Sequence, residues 1–349
     1  MMRPVELVKE TINLNHTDRI PVDLHNFTVA AEGLGRSYSE IFHSGELMAK
    51  SQIEQWEKFG HDMLLLENGT AALAETLGCQ VVYPDDNPPR LTGPAISDID
   101  EISSLPHPDP TVDGTLPELL EATSLVKDKL DKEFVMGRGD QGPFSLASMV
   151  LGMERFLMEL SKRENLGALE GLLNHCREVI ETYIRAQLEA GADGSSIGDS
   201  IAGPDVCNPD FYREFALPQE KRLFKELKRD YNRPISLHIC GDATNIVPEM
   251  IDSGAEILEL DYKINQEEVR NLVEGEVAFL GPLDPVLLGS GSPEKVYERT
   301  EELLSLWGSY DGLIFGPGCA MNAGTPEENV KSMIKAVRDY TPVNEKGDR

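Results

Sequence analysis

The 349-residue chain carries 61 Asp and Glu against 32 Lys and Arg, a formal charge of −29. A field of that sign repels phosphate backbones and anionic bilayers, which argues against nucleic acid or a membrane surface as a partner. The length suits one large domain with a substantial core, and no apolar run approaches the ~20 residues of a spanning helix.

In chain order, the opening "MMRPVELVKETINLNHTDRIPV" reads as an amphipathic helix and not as an apolar signal region. Short apolar segments then alternate with long helical stretches. The predicted strands are "RIPVDL" (19–24), "DMLLLEN" (62–68), "FVMGRGD" (134–140), "GSSIGDS" (194–200), "ISLHIC" (235–240), "EILELDY" (256–262), "VAFLGPLD" (277–284) and "GLIFGPGC" (312–319). Between them lie helical patterns such as "NPDFYREFALPQEKRLFKELKRDY" (208–231) and "SPEKVYERTEELLSLW" (292–307). Eight strand–helix repeats predict an α/β fold, a (β/α)₈ TIM barrel spanning residues 1–349 as one domain. It carries an N-terminal helical extension and a small inserted hairpin in "CQVVYPDDNPPRLTGP" (79–94). A doubly wound open sheet is the competing architecture.

In barrels the chemistry sits at the C-terminal strand ends. There this sequence places Asp23 and His25, Glu67 and Asn68, Arg138 and Asp140, Asp199, His238 and Cys240, Asp261, Asp284 and Cys319. His238 and Cys240 are two apart on one strand and so share a face. If the barrel holds, the last strand brings Cys319 to the same mouth. One imidazole and two sulfurs suit zinc, with a fourth position left for substrate. Cysteine is also among the most buried residue types, so packing stays open as the alternative for each. Cys79, Cys176 and Cys207 are read as packing residues. His16, His43, His61 and His107 are read as packing or surface histidines. Five scattered cysteines argue for a reducing cytoplasm.

At "LHICGDATNIVPEMIDSGAEILELD" (237–261) and "GPGCAMNAGTPEENVKSMIKAVRDY" (316–340) the chain resembles the uroporphyrinogen decarboxylase superfamily. Within it the likeness is to the zinc- and cobalamin-dependent methyltransferases, including the methylcobamide:coenzyme M methyltransferases of methanogens and related enzymes of anaerobic bacteria. That resemblance implies a (β/α)₈ barrel. It also implies a zinc site formed by His238, Cys240 and Cys319, and a corrinoid supplied as methylcobalamin by a partner protein. The arginine-rich motif of the true decarboxylases is missing, since "PVDLHNFTVAAEGLGRSY" holds only Arg36, and "LLLENGT" stands where their catalytic Asp would be.

The expected function is methyl transfer between a small substrate and a corrinoid protein, with a decarboxylase-type lyase as the alternative. The small substrate is a methyl ether or methylamine donor, or a thiol acceptor. Asp199, Glu67 and Asp261 are the candidate acids, with Asp199 ranked first. His25, Asn26, Asn68 and Arg138 are the candidate substrate-pocket residues. No D-x-H-x-x-G corrinoid motif occurs in the chain. A homodimer is compatible with this reading, which leaves the oligomeric state open.

Overall fold

The computed structural model describes residues 2–341. Its centre is a parallel sheet built from β1 (Met63–Leu66), β4 (Phe134–Gln141), β5 (Gly194–Gly198), β6 (Ile235–Ile239), β7 (Ile257–Leu260), β8 (Ala278–Leu283) and β9 (Leu313–Pro317), paired in that order. A separate antiparallel pair joins β2 (Gln80–Val82) to β3 (Arg90–Gly93). Every residue of the seven parallel strands is buried. Near-continuous Val/Ile/Leu runs suit a sheet covered on both faces.

The expected first strand is reduced. Val22 bridges Phe315 on one edge of the sheet and Asp23 bridges Met63 on the other, so this short segment links β9 to β1 and curls the sheet round. A longer ladder does not form because Pro21 has no N–H to give. The Val22 N–H, moreover, is taken by the Asp62 carboxylate at 3.0 Å, which also receives Arg19. Of the eight predicted strands, the other seven overlap the seven parallel ones.

Side chains alternate between two environments. Leu64, Leu66, Val135, Ile197, Leu237, Leu258, Phe279 and Phe315 face the surrounding helices. Met63, Leu65, Phe134, Met136, Ile257, Ala278, Leu280 and Ile314 fill the inside, where Val5 and Val8 of the helix Pro4–Ile12 close the floor. The predicted helix over 208–231 is interrupted by a π turn at Tyr212–Ala216, just before Pro218. Proline cannot donate the i→i−4 bond, and a wider turn absorbs the gap. No helix among the described residues is long and apolar enough to cross a membrane.

Candidate metal centre and its buried charge network

The three predicted ligands meet. His238 Nε2 lies 2.9 Å from Cys240 Sγ and 3.9 Å from Cys319 Sγ, and the two sulfurs are 3.8 Å apart. They form a His/Cys/Cys group able to hold one ion. His238 is buried, whereas both cysteines are half-buried and so reachable from the C-terminal end of the strands. The sulfur spacing is what two tetrahedral ligands at about 2.3 Å from a common centre would show.

Backbone bonds fix each ligand. His238 Nδ1 lies 2.9 Å from the Glu259 carbonyl, which can only accept, so Nδ1 carries a proton and Nε2 is left facing the sulfurs. The Cys240 N–H donates to Ser200 Oγ at 3.1 Å. Gly241 follows at φ +84, a conformation that favours glycine, and a Cβ there would meet the Asp205 carboxylate. Gly318 N–H donates to the Leu283 carbonyl, and a Cβ at Gly318 would lie 2.7 Å from the Leu260 carbonyl. Beyond Cys319, Met321 N–H donates to the His25 carbonyl and Thr28 Oγ1 to the Met321 carbonyl. The loop bearing Cys319 is thereby tied to the segment bearing His25.

The two thiols differ. The hydrogen bond with Cys319 and the adjacent His238 outweigh burial and draw Cys240 down to about 3. The same bond, together with burial, pushes Cys319 upward. Burial lowers His238, but the Glu259 carboxylate and the Cys240 sulfur outweigh it and the net shift is upward.

Beside the triad lies a network of buried charges. His25, held at φ +40, places Nδ1 2.7 Å from Glu259 Oε1 and Nε2 3.2 Å from Glu67 Oε2. Arg138 completes the ring, with Nε 3.7 Å from Glu67 Oε2 and one guanidinium nitrogen 3.5 Å from Glu259 Oε2. Burial alone would discharge His25, but Glu259 and Glu67 raise it to about 10. Burial opposes ionisation of Glu67 and Glu259 too, yet histidine and arginine partners hold both below the usual carboxylate range.

Glu259 was not singled out from the sequence. The signal was present: in "EILELDY" it shares a face with Ile257 and Asp261, so an ionisable group inside an apolar strand had to point into the barrel. Asp23 is a second such case. It is fully buried, neither carboxylate oxygen has a hydrogen-bond partner, and burial raises it to about 7.

The remaining candidates are placed as follows. Asp199 accepts from Ser145 N–H at 2.6 Å and Phe144 N–H at 3.3 Å, at the start of the helix Pro143–Leu151. Its own N–H donates to the His238 carbonyl. Asp261 accepts from Gly241 N–H at 2.9 Å and Lys263 N–H at 3.2 Å. Asn68 Nδ2 donates to the Thr115 carbonyl and to Tyr183 OH, each at 3.2 Å. Asn26 is buried with Nδ2 unpartnered. A cavity of about 280 Å³ lined by Lys9, Lys228, Arg233 and Glu256 lies at the N-terminal strand ends and contains none of these residues.

Comparison with known proteins agrees with this architecture. A methylcobamide:CoM methyltransferase (MtaA) of Methanosarcina barkeri is 29% identical over 330 residues, covering 93% of this chain and 94% of its own. A methyltransferase structure from Methanosarcina mazei superimposes with a TM-score of 0.88 at 25% identity, over 97% of this chain and 99% of that one. A uroporphyrinogen decarboxylase of Xylella fastidiosa is 26% identical over 88% of this chain and 89% of its own. The uroporphyrinogen decarboxylase (URO-D) family matches residues 4–340, and the chain belongs to that family.

Proposed function

We propose that this chain is a zinc-dependent methyltransferase that moves a methyl group between a small substrate and a corrinoid protein. The observation that carries the reading is the His238/Cys240/Cys319 set, with contacts of 2.9, 3.8 and 3.9 Å and the imidazole oriented by a backbone carbonyl. Its likeness to corrinoid-dependent coenzyme M methyltransferases supports the same conclusion. A Zn²⁺ ion held there supplies Lewis acidity, lowering the pKa of a thiol acceptor or polarising the heteroatom of a methyl ether or methylamine donor.

The chain's own groups have distinct tasks. Cys240 and Cys319 enter as thiolates whose charges offset the ion's, which keeps a neighbouring substrate sulfur electron-rich. Glu259 orients His238 through its carbonyl and His25 through its carboxylate. Glu67 and His25 share a proton across the 3.2 Å Nε2–Oε2 contact, next to the Glu259 carboxylate that adjoins His238. We assign Asp199 and Asp261 positioning roles: Asp199 braces the strand before His238, and Asp261 holds the turn after Cys240. His25, Asn26, Asn68 and Arg138 form the substrate side. No corrinoid motif occurs in the sequence, so the corrinoid comes from another protein or is free.

The lyase alternative has less support, because Arg138, the one buried arginine facing this site among the described residues, is already engaged by two carboxylates. The test is metal analysis combined with spectroscopy. Purified protein should hold about one zinc per chain, and mixing with a methylated or Co(I) corrinoid protein and a methyl acceptor or donor should change the cobalt spectrum. Protein without zinc, or a spectrum indifferent to every acceptor and donor, would sink the proposal.

A further inference from the structure

We infer that the small substrate of this site is uncharged or cationic, and that a sulfonate-bearing thiol such as coenzyme M is a poor one. This rests on the methyltransferase reading and narrows it.

The charges beside the triad are already spoken for. Two cations stand beside the triad. His25 spends both ring nitrogens on carboxylates, Glu259 at 2.7 Å and Glu67 at 3.2 Å. Arg138 lies between the same two acids, and a Cβ at Gly198 would contact both its guanidinium and the His238 ring, so it adjoins the metal centre. Arg138 Nε makes no hydrogen bond, but it faces Glu67 Oε2 at 3.7 Å and its charge is already matched.

What remains unpartnered is chiefly acceptor. Asn68 Oδ1 and Asp140 Oδ1 are buried without hydrogen bonds, as are both oxygens of Asp23, and Asn26 Nδ2 and the Glu67-facing Arg138 Nε are the opposing donors. An anion entering here must displace a carboxylate from Arg138 or lie unpaired among acids, and either costs several kcal/mol in a low-dielectric site. The −29 field of the whole chain works in the same direction during approach. Lys263, on the loop after β7, is exposed and stands in water, where its field is screened.

Three thiols of equal length test the inference: 2-aminoethanethiol, 2-mercaptoethanol and 2-mercaptoethanesulfonate, titrated into the full chain loaded with Co²⁺ and followed by the thiolate–cobalt absorption. The expected result is that 2-mercaptoethanesulfonate binds about tenfold or more weakly than 2-mercaptoethanol, with 2-aminoethanethiol no weaker than the uncharged thiol. Equal or tighter binding of the sulfonate thiol overturns the inference. If Lys263→Ala then removes that affinity, the rim lysine is the cause.

Glu67→Gln sharpens the result. By freeing the guanidinium it should narrow the sulfonate-to-uncharged ratio several-fold, and an unchanged ratio counts against sequestration of Arg138. Absorption with 2-mercaptoethanol reports on the metal-centre reading whatever the charge order. The absence of any band with all three thiols overturns both the inference and the thiol arm of that reading.

Discussion

The floor and the mouth of the barrel are built from the same strands, yet they are chemical opposites. One step of two residues carries Leu65 to Glu67, Met136 to Arg138, Ser236 to His238 and Ile257 to Glu259. Below that step the interior is an apolar cluster closed by Val5 and Val8. Above it, ionisable groups equally shielded from water pair with one another and abut a pair of half-buried sulfurs. Burial on the floor lowers free energy through apolar transfer. At the mouth burial is a cost, offset only while every charge keeps its partner. The same degree of burial therefore predicts different responses to substitution.

The largest contrast is expected at the ligands. Cys240→Ser or Cys319→Ser should leave the fold intact, reduce bound zinc to a small fraction of the wild-type content and cut methyl transfer by about a thousandfold or more. Elemental analysis and circular dichroism on the same sample read both halves; full zinc retention would break the proposed centre.

Next is the hub of the charge network. Glu259→Gln keeps the carbonyl that holds His238 but removes the counter-charge of His25 and Arg138. Denaturant unfolding should show a loss of about 3–5 kcal/mol, and competition with a chelator a zinc affinity weaker by about 10–100-fold. A floor substitution, Leu65→Ala, should cost a comparable ~2–5 kcal/mol through cavity formation while leaving zinc affinity unchanged. If both variants lost zinc equally, the mouth and the floor would not be separable.

The effect smallest per step is a pH dependence. Asp23 is raised to about 7 by burial, with the His25 and Glu259 charges adding opposed contributions. A folded-state pKa above the unfolded one means the native state binds the extra proton. The stability it contributes is full below the ordinary carboxylate range, near pH 4, and is lost as pH climbs through about 7. The stability of wild type relative to Asp23→Asn should fall with rising pH across that window, by on the order of 1 kcal/mol per pH unit. A flat difference between the two unfolding series would show that Asp23 is ionised, or bonded to internal water, throughout.

Much of this was legible in order of residues alone. Alternating apolar runs and helical intervals named seven parallel strands, and the His238-x-Cys240 spacing put two ligand types on one strand face. The reduced segment at 21–23 was not legible, because its N–H is captured by Asp62, forty residues away. Nor were the partners of Asp199 and Asp261. As strand-end acids both read as candidates for chemistry, and only the folded chain reveals that their oxygens receive backbone N–H groups.

Periodicity and residue type are local, so by itself the sequence determined the strand–helix alternation and the net acidity, and it singled out His238, Cys240 and Cys319 as candidate ligands. Tertiary structure decided the rest: that Cys319 reaches His238 across 81 positions, that Glu259 joins His25, Arg138 and His238, and that, among the described residues, the two cations His25 and Arg138 beside the triad each keep a carboxylate. Those outcomes depend on which strands become neighbours. Electrostatic pairing inside a barrel acts over a few ångströms, between residues that the chain itself keeps far apart.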